Sequence, residues 1–97
     1  MDKVLSLLGL AKRAGKLVIG EKNVLDALKE LQQPVIFLGQ DAGSNIKDKV
    51  NKKAHHYKLV LCTKYSKKEL SQAVGTQNHA MMMVLDKGFN DAIKKEL

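Results

Sequence analysis

The sequence predicts a single-domain three-layer α/β/α sandwich around a mixed sheet of about four strands. One observation is a set of short apolar runs, Val35–Leu38, 59–62 and 81–85, that lack polar alternation. Strands of that kind are covered by helices on both faces. A second is that the segments between these runs space their apolar residues at the helical period. The third is length: 97 residues supply one modest core and leave little to divide, so the whole of 1–97 is expected to be one domain.

In chain order, Val4, Leu5, Leu7, Leu8 and Ala11 recur at helical spacing over residues 4–14, and Gly15 stands where a C-terminal cap belongs. Leu17, Val18 and Ile19 form a brief strand that Gly20 stops. Val24, Leu28 and Leu31 mark one face of a second helix, which Pro34 must end because its ring excludes the preceding residue from helical geometry. After the Val35–Leu38 strand, Ser44 is the expected N-cap of a helix carrying Ile46, Val50 and Ala54 on one stripe. Strand 59–62 follows, then a shorter helix with Leu70, Ala73 and Val74. The 81–85 strand leads to a last helix presenting Phe89, Ala92, Ile93 and Leu97. No linker, repeat or low-complexity tract interrupts this order.

Hydrophobic residues make up 44% and charged residues 28%, a balance that folds unaided. Seventeen basic residues against ten acidic ones leave a formal charge of +7, and on so small a body that field attracts a polyanion. Arg13 is the one arginine, so phosphate attraction by lysine is better founded than a code of bidentate base contacts. Cys62 stands alone, which excludes an intrachain disulfide and fits a buried thiol in a reducing compartment. The N-terminus lacks the pattern of a signal peptide, and no apolar stretch approaches the roughly 20 residues of a membrane span. A cytoplasmic protein without membrane contact is expected.

The stretch Lys12, Arg13, Ala14, Gly15, Lys16, followed after a short strand by Gly20, Glu21, Lys22 and Asn23 at a helix start, is the most informative. A helix start exposes unpaired N–H groups that hold phosphate oxygens, while lysine and asparagine can bond base edges in a groove. First-turn residues that merely cap and solvate a helix explain the segment equally well. A second candidate is the loop Thr76, Gln77, Asn78, His79, Ala80 leading into Met81, suited to an unstacked nucleotide, although Met81, Met82 and Met83 also read as strand core. The turn from Gly39 through Asp41 to Asn45 lies outside a strand C-terminus, where open α/β sheets gather ligands. Lys47, Lys49, Lys52 and Lys53, and the group Lys64, Lys67 and Lys68, read as solvated faces unless they converge with the second helix.

Catalytic and metal-binding sets are not evident. His55 and His56 lack spaced cysteines or a His-Glu-x-x-His frame, and the residues after Cys62 supply no arginine or Gly-rich anion cradle. The expectation is a protein that is not an enzyme and takes no cofactor or metal.

The segments Leu7-Leu-Gly-Leu-Ala-Lys-Arg-Ala-Gly-Lys16 and Gly20-Glu-Lys-Asn-Val-Leu-Asp-Ala-Leu28, the 41–45 turn and the helix end at Gly75 together resemble the YlxQ-like bacterial branch of the ribosomal L-seven-Ae superfamily, whose members bind kink-turn RNA. The resemblance implies the same α/β/α sandwich, with the second helix entering the groove at tandem G·A pairs and the loop after Gly75 lying over the kink. Position by position it places Gly20 at the helix-start glycine, and Lys22 and Asn23 at the two guanine-reading positions. Asp41 and Lys67 fall at flanking contacts, and the residues from Thr76 to Met81 at the loop. Archaeal and eukaryotic relatives read the guanines with Asn-Glu and carry a lysine one turn later, where this chain has Lys22, Asn23 and then Asp26. Asn78 and His79 replace the arginine and proline common in their loop. The implied function is recognition of structured RNA, kink-turn or ribosomal, by a monomer that contacts the ribosome. The competing expectation is a protein-interaction module associated with the ribosome or translation factors.

Overall fold

In the computed structural model, which describes residues 2–30 and 34–97, the elements alternate as α1 (Lys3–Arg13), β1 (Leu17–Ile19), α2 (Glu21–Ala27), β2 (Val35–Leu38), α3 (Ser44–Tyr57), β3 (Val60–Cys62), α4 (Lys67–Val74), β4 (Met81–Val84) and α5 (Lys87–Glu96). The sheet order is β1-β4-β2-β3. β2 and β3 run parallel, and β4 is antiparallel to both β1 and β2, with Met83 opposite Val18 on one side and Ile36 on the other.

Side chains alternate across a strand, so each run feeds two cores. Val35, Phe37, Met82 and Val84 pack with Val4, Leu8, Ala11, Leu70, Val74 and Ile93 of α1, α4 and α5. Ile36, Leu38, Met81 and Met83 face the opposite way, onto Val24 and Leu28 after α2's start and Val50 of α3. The three layers and the four-stranded mixed sheet are those the sequence predicts. Every residue of β2 and β4 is buried because both are central. β3 is an edge strand, and its Val60 and Leu61 are half-buried, so full coverage does not extend to it. Cys62 is a buried thiol, as expected.

Local chemistry sets several boundaries. Asp2 caps the start of α1, its carboxylate accepting the Val4 N–H at 2.8 Å, and Gly15, at φ 71°, leaves the helix in the left-handed region where a side chain would be strained. The second helix is shorter than its spacing implies: α2 ends at Ala27, and a 3₁₀ turn, Leu28–Glu30, replaces its last turn. Leu31, assigned to the same face, lies outside the described residues. Ser44 is not a cap but the first helical residue of α3. Gly43 holds the N-cap position in extended geometry, and its carbonyl accepts the Lys47 N–H at 3.1 Å. Ser66 supplies a capping box to α4, its hydroxyl accepting the Glu69 N–H while the Glu69 carboxylate accepts the Ser66 N–H. Leu97 does not join the α5 stripe; it caps the helix, exposed.

Because β4 is antiparallel to its neighbours, its N-terminal end meets the C-terminal ends of β1 and β2, and β3 ends there too. Gly20 with the first turn of α2, and the segments 39–45, 63–67 and 76–80, therefore gather at one end of the sheet.

Candidate functional site

Two backbone bonds fix the 76–80 loop against its neighbours. The Gly20 N–H donates to the Met81 carbonyl at 2.9 Å, and the Gly39 N–H donates to the Ala80 carbonyl at 2.7 Å. The start of α2 is thereby held beside the end of the loop. Gly20 adopts φ 99°, a conformation L side chains rarely take, and this lets the chain turn from β1 directly into α2. The Asn23 amide donates to the Ile19 carbonyl at 3.1 Å, leaving its oxygen and a second N–H for another partner. Lys22 and Asn23 are both exposed. Glu21 is half-buried, and its carboxylate lies 3.5 Å from the Lys49 ammonium on α3.

From the other side, α4 holds the loop through Ser71. Its buried hydroxyl accepts the His79 N–H at 3.0 Å, and the Thr76 N–H donates to the Ser71 carbonyl at 2.9 Å. Gln77 and Asn78 form the exposed tip, with Asn78 at φ 54°, a left-handed geometry asparagine tolerates. Thr76, His79 and Ala80 are half-buried. Met81 is 1% exposed and belongs to the core beneath α2, so its side chain offers the surface nothing.

The 39–45 turn is the third wall. The Asp41 carboxylate accepts the Lys67 N–H at 2.8 Å and thereby ties β2's end to the start of α4. That N–H, then desolvation acting in the opposite sense, then Lys67 and Lys47 set its carboxyl, and the net effect is to hold it below the usual aspartate range. Gly39 admits this approach: a Cβ there would lie 2.7 Å from Lys67 Cγ and 3.1 Å from Lys67 N. The Lys47 ammonium donates to the Gln40 carbonyl at 2.8 Å, and the Gln40 amide donates to the Lys64 carbonyl at 2.8 Å. The Lys64 ammonium stands 3.8 Å from Asp2 and 5.6 Å from the ring centroid of buried Tyr65. The Tyr65 hydroxyl lies beside the Asp2 carboxylate without a well-formed hydrogen bond; burial first, then that carboxylate, push the phenol far above its usual range.

Of the residues the sequence singles out, the structure brings together Gly20, Glu21, Lys22, Asn23, Asp41, Lys67, Thr76, Gln77, Asn78, His79 and Ala80. Lys12, Arg13 and Lys16 do not join them. Lys12 and Arg13 form the last turn of α1 and Lys16 lies between α1 and β1, where its carbonyl accepts the Leu85 N–H at 2.7 Å, at the opposite end of the sheet. The three-residue length of β1 separates the two groups. Gln40, within the candidate 39–45 turn, and Ser71, which the sequence does not single out, organise the site from behind. Ser71 had a legible signal, since its spacing of three from Val74 places it on the inward face of α4. For Gln40 the turn was legible but its bond was not, because that bond depends on a partner 24 residues away.

The assembled surface combines exposed lysine and amide groups with backbone of two loops, and can offer charge to phosphates and donors and acceptors to a base edge. Among the described residues, no three His, Cys, Asp or Glu side chains are placed to hold a metal, and no helix is long and apolar enough to cross a membrane.

The sequence profile of the Ribosomal protein L7Ae/L30e/S12e/Gadd45 family matches residues 2–94. The chain is similar to RNA-binding protein YlxQ of Enterococcus faecium, 31% identical over 94 residues that span 97% of this chain and 90% of that protein. It is 35% identical over 83 residues to RNA-binding protein YlxQ of Bacillus subtilis (strain 168), covering 86% of this chain and 83% of that one. Among solved structures, a protein with unknown function from Bacillus halodurans C superposes with a TM-score of 0.90 at 33% identity, over 98% of this chain and 96% of the other. The Giardia lamblia 15.5kD RNA binding protein superposes with a TM-score of 0.78 at 12% identity, over 94% and 78% of the two chains, a likeness of fold. The resemblance carried by the helix-start and loop motifs thus extends over nearly the whole sequence, and the chain belongs to the ribosomal protein L7Ae/L30e/S12e/Gadd45 family.

Proposed function

We propose that this chain is a non-catalytic RNA-binding protein that recognises and stabilises kinked, structured RNA, including kink-turn motifs of ribosomal RNA, as a monomer in the cytoplasm. The observation that carries this reading is the convergence of Lys22 and Asn23 with the 76–80 loop and Lys67 at one end of a chain of charge +7. The names of the Enterococcus and Bacillus relatives support the same class of ligand.

Lysines supply a long-range, salt-dependent attraction to phosphates that is indifferent to sequence. Selection then falls to Lys22 and to Asn23, whose amide is oriented by the Ile19 carbonyl before any ligand arrives. The 76–80 loop, pinned at both ends, presents a fixed surface to nucleotides at the bend. An RNA that fluctuates between straight and kinked forms is drawn to the kinked form by the difference in affinity alone.

The test is the affinity for a kink-turn RNA and for the same strands with the G·A pairs replaced by Watson–Crick pairs, across a salt series. The expected result is a preference of tenfold or more, about 1.4 kcal/mol, that survives raised salt. Equal and steeply salt-sensitive binding would overturn shape recognition, and absence of binding would point to a protein partner instead.

A further inference from the structure

The lysines of α3 are unevenly placed around the helix. Val50 faces the sheet, fully buried, with Ile46, Ala54 and Tyr57 half-buried beside it. On one flank of that buried line lie Asn45, Lys49, Lys52, Lys53 and His56, all exposed, at the spacing i, i+4, i+7, i+8 and i+11 that keeps side chains on one side of a helix. The other flank carries Ser44, Asn51, His55 and one lysine, Lys47, half-buried with its ammonium on the Gln40 carbonyl, and Asp48, the one acidic residue of α3, lies on the outer face. The exposed lysines of α3, Lys49, Lys52 and Lys53, thus share one side, an asymmetry that solubility alone does not require.

The direction of the lysine flank is fixed by one contact: the Lys49 ammonium lies 3.5 Å from the Glu21 carboxylate in the first turn of α2. The stripe therefore borders the groove between α2 and α3. Its Lys49 meets the first turn of α2, the turn that carries Lys22 and Asn23, and the stripe continues through Lys52, Lys53 and His56 toward the far end of α3. At 1.5 Å per residue, Asn45 to His56 covers about 16 Å, enough to follow several phosphates of one strand. The Lys53 ammonium sits 5.8 Å from the Tyr57 ring centroid, which steadies the cation without neutralising it. The Lys49–Glu21 pair, at 3.5 Å and with its lysine exposed, contributes little to stability, so a phosphate can displace the carboxylate.

We infer that the Lys49, Lys52, Lys53 and His56 flank of α3 is a second RNA-contacting surface, which grips the backbone of the duplex stem leaving the bend and extends the footprint along the α2–α3 groove. The inference rests on the proposed kinked-RNA reading. Its ligand is the sugar-phosphate backbone of an RNA helix continuous with the bend, not a base or a separate molecule. The stripe should therefore set how affinity depends on stem length, while Lys22 and Asn23 set how it depends on the kink.

The experiment measures the full chain and its Lys52→Gln/Lys53→Gln variant against four RNAs, kinked and Watson–Crick control, each with a long stem and with one cut to a few base pairs. Both lysines are exposed, and thermal melting should leave the variant's stability near that of the parent. The expected result is that the parent binds the long-stem kinked RNA on the order of tenfold more tightly than the short-stem one. The double variant should lose that advantage, lower the salt slope on the long stem by about two, and leave the short-stem affinity unchanged. Equal weakening on both stems would reduce the stripe to general attraction and overturn the inference, as would no effect on either. If the parent fails to distinguish the kinked RNAs from their controls, the underlying reading falls, and this inference with it. A retained kink preference without a stem effect removes the second surface alone.

Discussion

The Ser71 hydroxyl accepts the His79 N–H at 3.0 Å, and through that bond a helix whose inner face is core holds the loop at the centre of the candidate site. Ser71 is 3% exposed, so it acts on a ligand only by shaping the loop. Function and fold meet there in one hydroxyl group.

Replacing it tests that role. Ser71→Ala leaves a part-buried N–H without its acceptor, which costs about 1–3 kcal/mol. Urea unfolding should show that loss, and RNA affinity should fall under conditions where the variant remains folded. A variant that is less stable yet binds RNA with parental affinity would show that the loop's shape is irrelevant to binding.

Lys22 makes the opposite kind of prediction. It is exposed and forms no ion pair with a described residue, so Lys22→Ala should leave the melting temperature nearly unchanged. Loss of a base-edge contact costs about 1–3 kcal/mol and relaxes specificity. Affinity for the kink-turn should fall by that amount, with a much smaller change on an unkinked duplex, in paired titrations at one salt concentration. Equal losses on the two RNAs would remove Lys22 from the selective role.

Asp41 ties the site to acid stability. Its carboxyl is lowered below 3.8, chiefly by the Lys67 N–H it accepts, so the folded state favours the ionised form. A group lowered in the folded state contributes stability that is present above its unfolded pKa and is lost as pH falls through the folded value. The contribution should be complete at neutral pH and decline below about pH 4. Unfolding free energies measured from pH 6 to pH 2 should therefore show a shallower acid decline in Asp41→Asn than in the parent.

Asn90 separates folding from binding. At the far end of the sheet its carbonyl oxygen accepts the Val35 N–H at 3.2 Å and its amide donates to the Val84 carbonyl at 3.0 Å, joining α5 to both central strands. Asn90→Ala strands two buried backbone groups, each worth about 1–3 kcal/mol, and denaturant unfolding should show a loss of at least 2 kcal/mol. RNA affinity of the folded fraction should stay at the parental value. A change in affinity would mean that the sheet transmits strain between its ends.

Much of this was legible in the residues alone. The unbroken apolar runs at β2 and β4 announced strands covered on both faces, and the helical spacing of Val4, Leu8 and Ala11 or of Leu70 and Val74 announced the helices above them. Apolar burial dominates those choices and acts through periodicity, which a sequence displays directly. Ser44 and Leu97 depart from the expected pattern at element ends, where one hydrogen bond or one turn decides and no periodicity helps. The early 3₁₀ turn at Leu28–Glu30 belongs to the same class.

The charge of +7, the Gly20 turn and the polar loop after Gly75 identified the pieces of the site from the sequence, and only the tertiary structure decided which of them meet. Lys12, Arg13 and Lys16 are nearer to Lys22 in sequence than His79 is, yet one short strand carries them to the opposite end of the sheet. His79 and Asp41 reach the same end of the sheet as the start of α2 because β4 is antiparallel between β1 and β2, which turns its N-terminal end toward their C-terminal ends. Strand order and direction are set by the joint packing of two cores across one sheet, a property of the whole chain that no local window of residues contains.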